Sequence, residues 1–191
     1  MINIAIFASG SGSNAEEIIK YFESSSDITV KLILSNKKEA FVHQRAEKYN
    51  IPSVTFNRNE FYESEVIETL LKDNKIKFIV LAGFLWLFPK RLVEKFPKRI
   101  VNIHPALLPK YGGKGMYGDK VHQAVIENKE TLSGITIHYV NEHYDEGDII
   151  FQASCKVEKE DRAKDVAEKV HQLEHRHFPK KIEEIVLQEL N

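Results

Sequence analysis

Asn102 and His104 stand two residues apart at the end of an apolar run, Val101-Asn102-Ile103-His104-Pro105. On a strand, side chains two apart leave the same face, so a carboxamide and an imidazole can converge on one ligand atom. Pro105 ends the strand, because it donates no ladder hydrogen bond and fixes its own backbone angle. The pair therefore sits at a strand's C-terminal edge, where open α/β sheets bind ligands. The same residues also fit a core strand whose histidine merely satisfies a backbone carbonyl. The segment alone leaves both readings open.

A second constellation is Gly10-Ser11-Gly12-Ser13-Asn14, which follows the first strand and opens the first helix. Glycines there let the backbone approach a ligand, and a helix N-terminus offers free N–H groups with partial positive charge. That combination suits a phosphate. A dinucleotide fingerprint would place a third glycine near position 15 or 16, where Ala15 and Glu16 stand, and a Walker A loop would need a Lys-Ser/Thr pair. One phosphate is therefore expected, against the plainer alternative of a Ser/Asn-capped tight turn. Gly112-Gly113-Lys114-Gly115-Met116-Tyr117-Gly118 follows the His104 strand and reads as a lid over a bound ligand, the alternative being a solvated loop. His171-Gln172-Leu173-Glu174-His175 matches the spacing of inverted zinc peptidases, with two histidines at i and i+4. A third ligand usually lies well downstream, and only 16 residues follow His175, so no metal is expected.

These groups need a frame, and the chain alternates strand and helix. Strands are expected at Asn3–Ala8, Ile28–Leu34, Ser53–Phe56, Lys77–Leu81 and Arg99–His104. Between them, helical spacing of apolar residues marks Asn14–Phe22, Ala40–Tyr49, Glu60–Asp73 and a segment near Pro89–Lys95. Alternation of this kind implies a mostly parallel, twisted sheet with flanking crossover helices. After residue 130 the pattern changes. Ile135–Val140 and Asp148–Val157 read as two strands joined at Asp145-Glu146-Gly147, an antiparallel addition. A long C-terminal helix from Asp161 to about Leu190 follows, with Pro179 expected to kink or restart it. The α/β class and one domain over 1–191 are the expectation.

Composition narrows the partners. With 27 Lys plus Arg against 28 Asp plus Glu, the net charge is −1, and no basic surplus exists to neutralise a nucleic acid backbone. The one cysteine, Cys155, permits no internal disulfide and suits a reducing compartment. The N-terminus shows no basic leader, and no run approaches a membrane span. A cytoplasmic protein without nucleic acid or membrane partners is expected.

Taken together, Ser9-Gly10-Ser11-Gly12-Ser13-Asn14, Ser35-Asn36-Lys37, Leu81-Ala82-Gly83-Phe84, Asn102-Ile103-His104-Pro105 to Pro109, Gly134 to Val140 and Tyr144-Asp145-Glu146-Gly147 resemble the folate-dependent formyltransferases. The resemblance covers nearly the whole chain, and Asn-x-His-Pro with a later Asp-x-Gly carries its specificity. It implies a Rossmann-like formyltransferase fold and transfer of a formyl group from 10-formyltetrahydrofolate to the amine of 5'-phosphoribosylglycinamide in purine synthesis. The folate is then a cosubstrate, and a monomer or weak homodimer acting on small molecules follows. Residues 1–100 would form the phosphate-binding half and 101–191 the catalytic and folate-binding half. By matching motif, Gly12, Ser13 and Asn14 would hold the phosphate, and Glu174 would contact the ribonucleotide. Leu85, Trp86, Leu87 and Phe88 would border the pterin pocket together with Asn102, and Asn102, His104 and Asp145 would form the reacting centre.

The chemistry agrees with that assignment. An amine attacking a formyl carbon makes a tetrahedral oxyanion, which needs hydrogen-bond donors and a relay for the amine proton. Asn102 and a protonated His104 can be the donors. A carboxylate beside the imidazole favours the cation, so Asp145 is expected to hold the His104 pKa above about 6.5. Aspartate before glycine is also an ordinary turn residue. The chain departs from the family at Trp86, where many members carry arginine, in a longer glycine-rich loop, and at His171 and Leu173. Two rivals remain. One is hydrolysis of the same folate, whose enzymes usually carry an extra N-terminal regulatory domain, whereas here the first strand begins at Asn3. The other is a non-catalytic phosphate-binding module. Relatives that formylate initiator tRNA carry a basic C-terminal domain not seen in this sequence.

Overall fold

Neighbouring residues of the first strand point into different layers. In β1 (Ile2–Phe7), Ile4 and Ile6 pack into one apolar cluster and Ala5 and Phe7 into another, and all four are fully buried. A strand covered on both faces needs side chains apolar at every position, and that is the signature of a parallel sheet sandwiched by helices. The computed structural model describes residues 1–190.

Among the described residues the chain continues with α1 (Ser13–Phe22), β2 (Ile28–Ser35), α2 (Val42–Lys48), β3 (Ser53–Thr55), α3 (Arg58–Tyr62), α4 (Val66–Asp73) and β4 (Ile76–Leu81). It goes on through α5 (Lys90–Lys95), β5 (Ile100–His104), α6 (Asp119–Glu127), β6 (Leu132–Tyr139), β7 (Ile149–Lys156) and α7 (Ala163–Leu190). The sheet order is β3-β2-β1-β4-β5-β6-β7. The pairings among β1 to β5 are parallel, and β6 and β7 add antiparallel. Helices α1, α2, α6 and α7 contribute Ile18, Val42, Val125 and Val170 to the core on one face. Helices α3, α4 and α5 place Phe61, Ile67 and Leu92 on the other. The mixed sheet, the flanking helices and the long last helix are as expected from the sequence.

Three local features differ from expectation. Glu60–Asp73 is two helices, because Asn57 and Glu60 form a reciprocal capping box that starts α3 and the chain breaks at Glu63-Ser64-Glu65 before α4. A helix absent from the sequence reading, α6, follows the glycine-rich loop and buries Val121, His122 and Val125 on one side. Helix α7 runs through Pro179 without interruption. Its loss of one N–H bond there is offset by burial of Phe178, Pro179 and Ile182 against the sheet.

The register positions the site. In the β5–β6 ladder Asn102 lies opposite His138, and His104 opposite Thr136. Directly opposed residues share a face, so the antiparallel addition brings a second polar pair against the first.

Candidate active site

Asn102 and His104 do converge, and Asp145 joins them. Asp145 holds a left-handed backbone (φ 57) in the loop between β6 and β7. Its Oδ2 lies 3.4 Å from His104 Nδ1 and accepts a hydrogen bond from the Gly113 N–H at 2.9 Å. Its Oδ1 lies 3.6 Å from His138 Nε2 and 3.5 Å from Asn102 Nδ2. Asn102 Nδ2 also reaches His138 Nε2 at 3.0 Å, and His138 Nδ1 lies 2.8 Å from the Tyr139 carbonyl. His138 Nε2 faces both the Asn102 carboxamide and the Asp145 carboxylate, while its Nδ1 faces the Tyr139 carbonyl. Asn102 thus spends one amide hydrogen on His138 and has the other beside the long Asp145 contact.

His104 is only 4% exposed, with Nε2 2.7 Å from the Tyr111 carbonyl. Burial pushes its pKa below the ordinary 6.5, and the opposing pull of Asp145 and the Tyr111 carbonyl does not reverse the shift. This corrects the expectation of a raised His104 pKa. The carboxylate is in place, yet withdrawing the imidazole from water outweighs it, and the neighbouring His138 adds to the lowering. A cationic donor is therefore not the resting state at neutral pH. Burial tends to raise the Asp145 carboxyl as well, but its bond to His138, the nearby His104 and the Gly113 N–H together hold it below the usual range.

The sequence reading passed over several supports. Thr136, fully buried, donates to the Ala106 carbonyl (2.6 Å) and accepts from the Leu108 N–H (3.0 Å), and Gln152 bonds Thr136 Oγ1 and the Leu108 carbonyl. This network fastens the segment after His104. A Cβ on Gly147 would strike the Tyr139 carbonyl that holds His138. The available signal was Thr136 and His138, polar at alternate positions of the apolar run Ile135–His138, as Asn102 and His104 are in theirs.

Asn102, His104 and Asp145 lie in the wall of a cavity of about 590 Å³, a volume suited to a small-molecule substrate. Gly12, Ser13, Asn14 and Glu174 line its far end. Gly12 begins α1 in a left-handed conformation (φ 71), and no side chain caps the helix, so first-turn N–H groups remain available to a ligand. Asn14 Nδ2 donates to Glu174 Oε2 at 2.9 Å, and burial pushes the Glu174 carboxyl up. Gly113, Gly115 and Gly118 with Met116 and Tyr117 line the same cavity, so the glycine-rich loop borders the site. His171 lines it too, with its ring stacked on His175 at 6.4 Å between centroids. Among the described residues no three His, Cys, Asp or Glu side chains are grouped to hold a metal ion.

A smaller recess shares Phe84, Asn102, Tyr144 and Asp145 with this cavity and is lined by Trp86, Leu87 and Phe88. Trp86 stacks on Tyr62 at 6.1 Å between ring centroids, and the Tyr62 hydroxyl donates to the Leu87 carbonyl. Phe88 is largely core, 2% exposed. Leu85 is not part of the recess. It borders the larger cavity, where its N–H donates to Ser9 Oγ at 3.0 Å. No helix among the described residues is long and apolar enough to cross a membrane.

A family model described as formyl transferase matches residues 2–182. The chain is 42% identical over 183 residues to the chloroplastic phosphoribosylglycinamide formyltransferase of Arabidopsis thaliana, covering 91% of this chain and 61% of that protein. It is 33% identical over 192 residues to the phosphoribosylglycinamide formyltransferase of Bacillus subtilis (strain 168), covering 97% and 95%. The crystal structure of phosphoribosylglycinamide formyltransferase from Bacillus halodurans superposes with a TM-score of 0.86 at 34% identity, over 96% of this chain and 95% of that one. The chain spans 61% and 59% of the lengths of the two plant relatives it matches. With the family model matched over residues 2–182, this extent of identity and a TM-score of 0.86, the chain belongs to the formyl transferase family.

Proposed function

We propose that the chain transfers the formyl group of 10-formyltetrahydrofolate to the amine of 5'-phosphoribosylglycinamide, a step of purine synthesis. One observation carries the reading. The Asn102–His104–Asp145 cluster stands where a cavity ending in a glycine turn suited to phosphate meets a recess walled by aromatic side chains. A ribonucleotide and a pterin entering from these two sides bring amine and formyl carbon together at the cluster.

The geometry supports the following roles. The amine nitrogen bonds to the formyl carbon, and the carbonyl electron pair moves to oxygen. Asn102 donates its second amide hydrogen to that oxyanion, held in place by the bond to His138. His104, neutral at rest, takes the amine proton, and the adjoining Asp145 carboxylate stabilises the resulting imidazolium. The bond from carbon to the folate N10 then breaks, and a proton returns to that nitrogen. Gly12, Ser13 and Asn14 hold the phosphate, and Glu174 accepts hydrogen bonds from the ribonucleotide. Trp86, Leu87 and Phe88 border the pterin, while Leu85 lines the larger cavity beside Ser9. The chain works as one formyltransferase domain, with 1–100 supplying the phosphate end and 101–191 the reacting centre. No metal enters this chemistry. We read the protein as cytoplasmic, a monomer or weak homodimer, with small molecules as its partners.

The test follows folate deformylation with and without the ribonucleotide. Turnover that requires the amine supports transfer, and equal turnover in its absence establishes hydrolysis instead.

A further inference from the structure

The glycine turn cannot balance a phosphomonoester alone. Such a group carries about −1.5 to −2 charges at neutral pH, and a helix N-terminus contributes only about +0.5. Two cations of α2 beside the turn are already engaged. Arg45 bonds the Ser11 carbonyl and pairs with Glu16, which Lys48 also holds at 2.9 Å.

Lys37 is different. It lines the same cavity as Ser9 to Asn14. Among the described residues it has no carboxylate within ion-pair distance. Its backbone is fastened on all sides. The fully buried Ser35 hydroxyl accepts from the Lys37 N–H and donates to the Lys37 carbonyl, both at 3.2 Å. The same carbonyl accepts from the Ala40 N–H and faces His43 Nε2 at 3.2 Å, and His43 is itself braced by Ser53 and Thr55. The preceding residue ties this turn to the glycine turn, since Ser9 Oγ donates to Asn36 Oδ1 at 2.7 Å. Lys114 also lines the cavity, but it rides on the glycine-rich loop, and His171 is charged only when protonated. Lys37 is the unpaired lysine of the cavity lining whose backbone is tied, through Asn36 and Ser9, to the segment that leads into the glycine turn.

We infer that Lys37 is the specificity-determining cation for the substrate's phosphate, the residue by which the site prefers a ribonucleotide to the corresponding riboside. This rests on the ribonucleotide reading of the cavity. A charge-assisted hydrogen bond is worth a factor of about 10 to 100 in affinity.

The experiment compares wild type, Lys37→Ala and Lys37→Arg with glycinamide ribonucleotide and its dephosphorylated riboside. The ratio of kcat/KM for the two substrates should fall about 10- to 100-fold in Lys37→Ala and be largely retained in Lys37→Arg. The loss should appear in KM for the ribonucleotide, while KM for the folate stays put. A ratio unchanged in Lys37→Ala overturns the inference, and because it is an internal ratio, partial misfolding does not mimic the effect. Calorimetry with ribose 5-phosphate gives a readout free of turnover. Weaker binding by Lys37→Ala than by wild type supports the assignment even if wild type fails to formylate the ribonucleotide, a failure that would refute the proposed reaction alone. Equal binding by both proteins overturns the assignment with the reaction intact.

Discussion

The two ends of the cavity are built in opposite ways. The proposed phosphate end is built around a local element: Gly10 to Asn14 is one turn between β1 and α1 that offers backbone N–H groups, with Lys37 and Glu174 added from elsewhere in the cavity lining. The reacting end is assembled from distant segments. Asn102 and His104 come from β5, Thr136 and His138 from β6, Asp145 from the following loop, and the Tyr111 carbonyl and Gly113 N–H from the glycine-rich segment. A backbone site depends on conformation, while a side-chain cluster depends on burial and mutual orientation. The two ends should therefore fail in different ways when altered.

The largest effect is expected at Asn102. Losing an oxyanion donor costs about 10²–10³ in kcat, so Asn102→Ala should fall by that factor with the fold intact, as steady-state kinetics beside circular dichroism would record. Asn102→Asp should be worse, because it places negative charge where negative charge develops. An alanine variant within a few-fold of wild type would remove Asn102 from the donor role.

Acid should expose the cost of burying imidazoles at this end. Burial, reinforced by His171, lowers the pKa of His122 to about 4, and His104 shifts in the same direction. The unfolded chain binds a proton near pH 6.5, where folded His122 does not, so stability is full above about 6.5 and declines as pH falls toward about 4. The contribution of His122 to that decline approaches about 3 kcal/mol. Urea unfolding at pH 7 and at pH 4 should show it, and His122→Gln should flatten the dependence. A pH slope identical in the variant would contradict the burial argument.

Backbone effects at the phosphate end should be smaller and specific to position. A Cβ on Gly12 would meet Val42 Cγ2 at 2.5 Å and Val42 Cα at 2.9 Å, on a left-handed backbone, whereas a Cβ on Gly10 would meet nothing within 4 Å. Gly12→Ala should lose at least about 1–2 kcal/mol from conformation alone, and Gly10→Ala should stay within about 0.5 kcal/mol of wild type. Thermal unfolding of the pair decides it. A valine at Gly12 is accordingly a poor probe of phosphate contact, since Val42 backs the turn.

The same contrast explains what was legible in the sequence. The alternating strands and helices, the glycine turn and the Asn102–His104 pair are local patterns of period and residue type, and they stand where the pattern placed them, save that Glu60–Asp73 divides into two helices. Helix α6 was hidden because its apolar positions are few and it begins directly after glycines. Thr136 and His138 acquire meaning only from the β5–β6 register, which no local pattern encodes. The direction of the His104 shift is not legible in the sequence for a related reason. The carboxylate partner was visible as a residue, but the depth of burial that overrules it is a property of the packed structure.

The most direct measurement at the reacting end is the titration of His104 by NMR in wild type and in Asp145→Asn. With Asp145 at 3.4 Å opposing the effect of burial, wild-type His104 should titrate below 6.5 and the variant lower still. Turnover should drop in step, because the imidazolium formed in the reaction loses its counter-charge. An unchanged His104 pKa on removing the Asp145 charge would mean that the carboxylate is only a turn residue, and the proton path through this pair would be wrong.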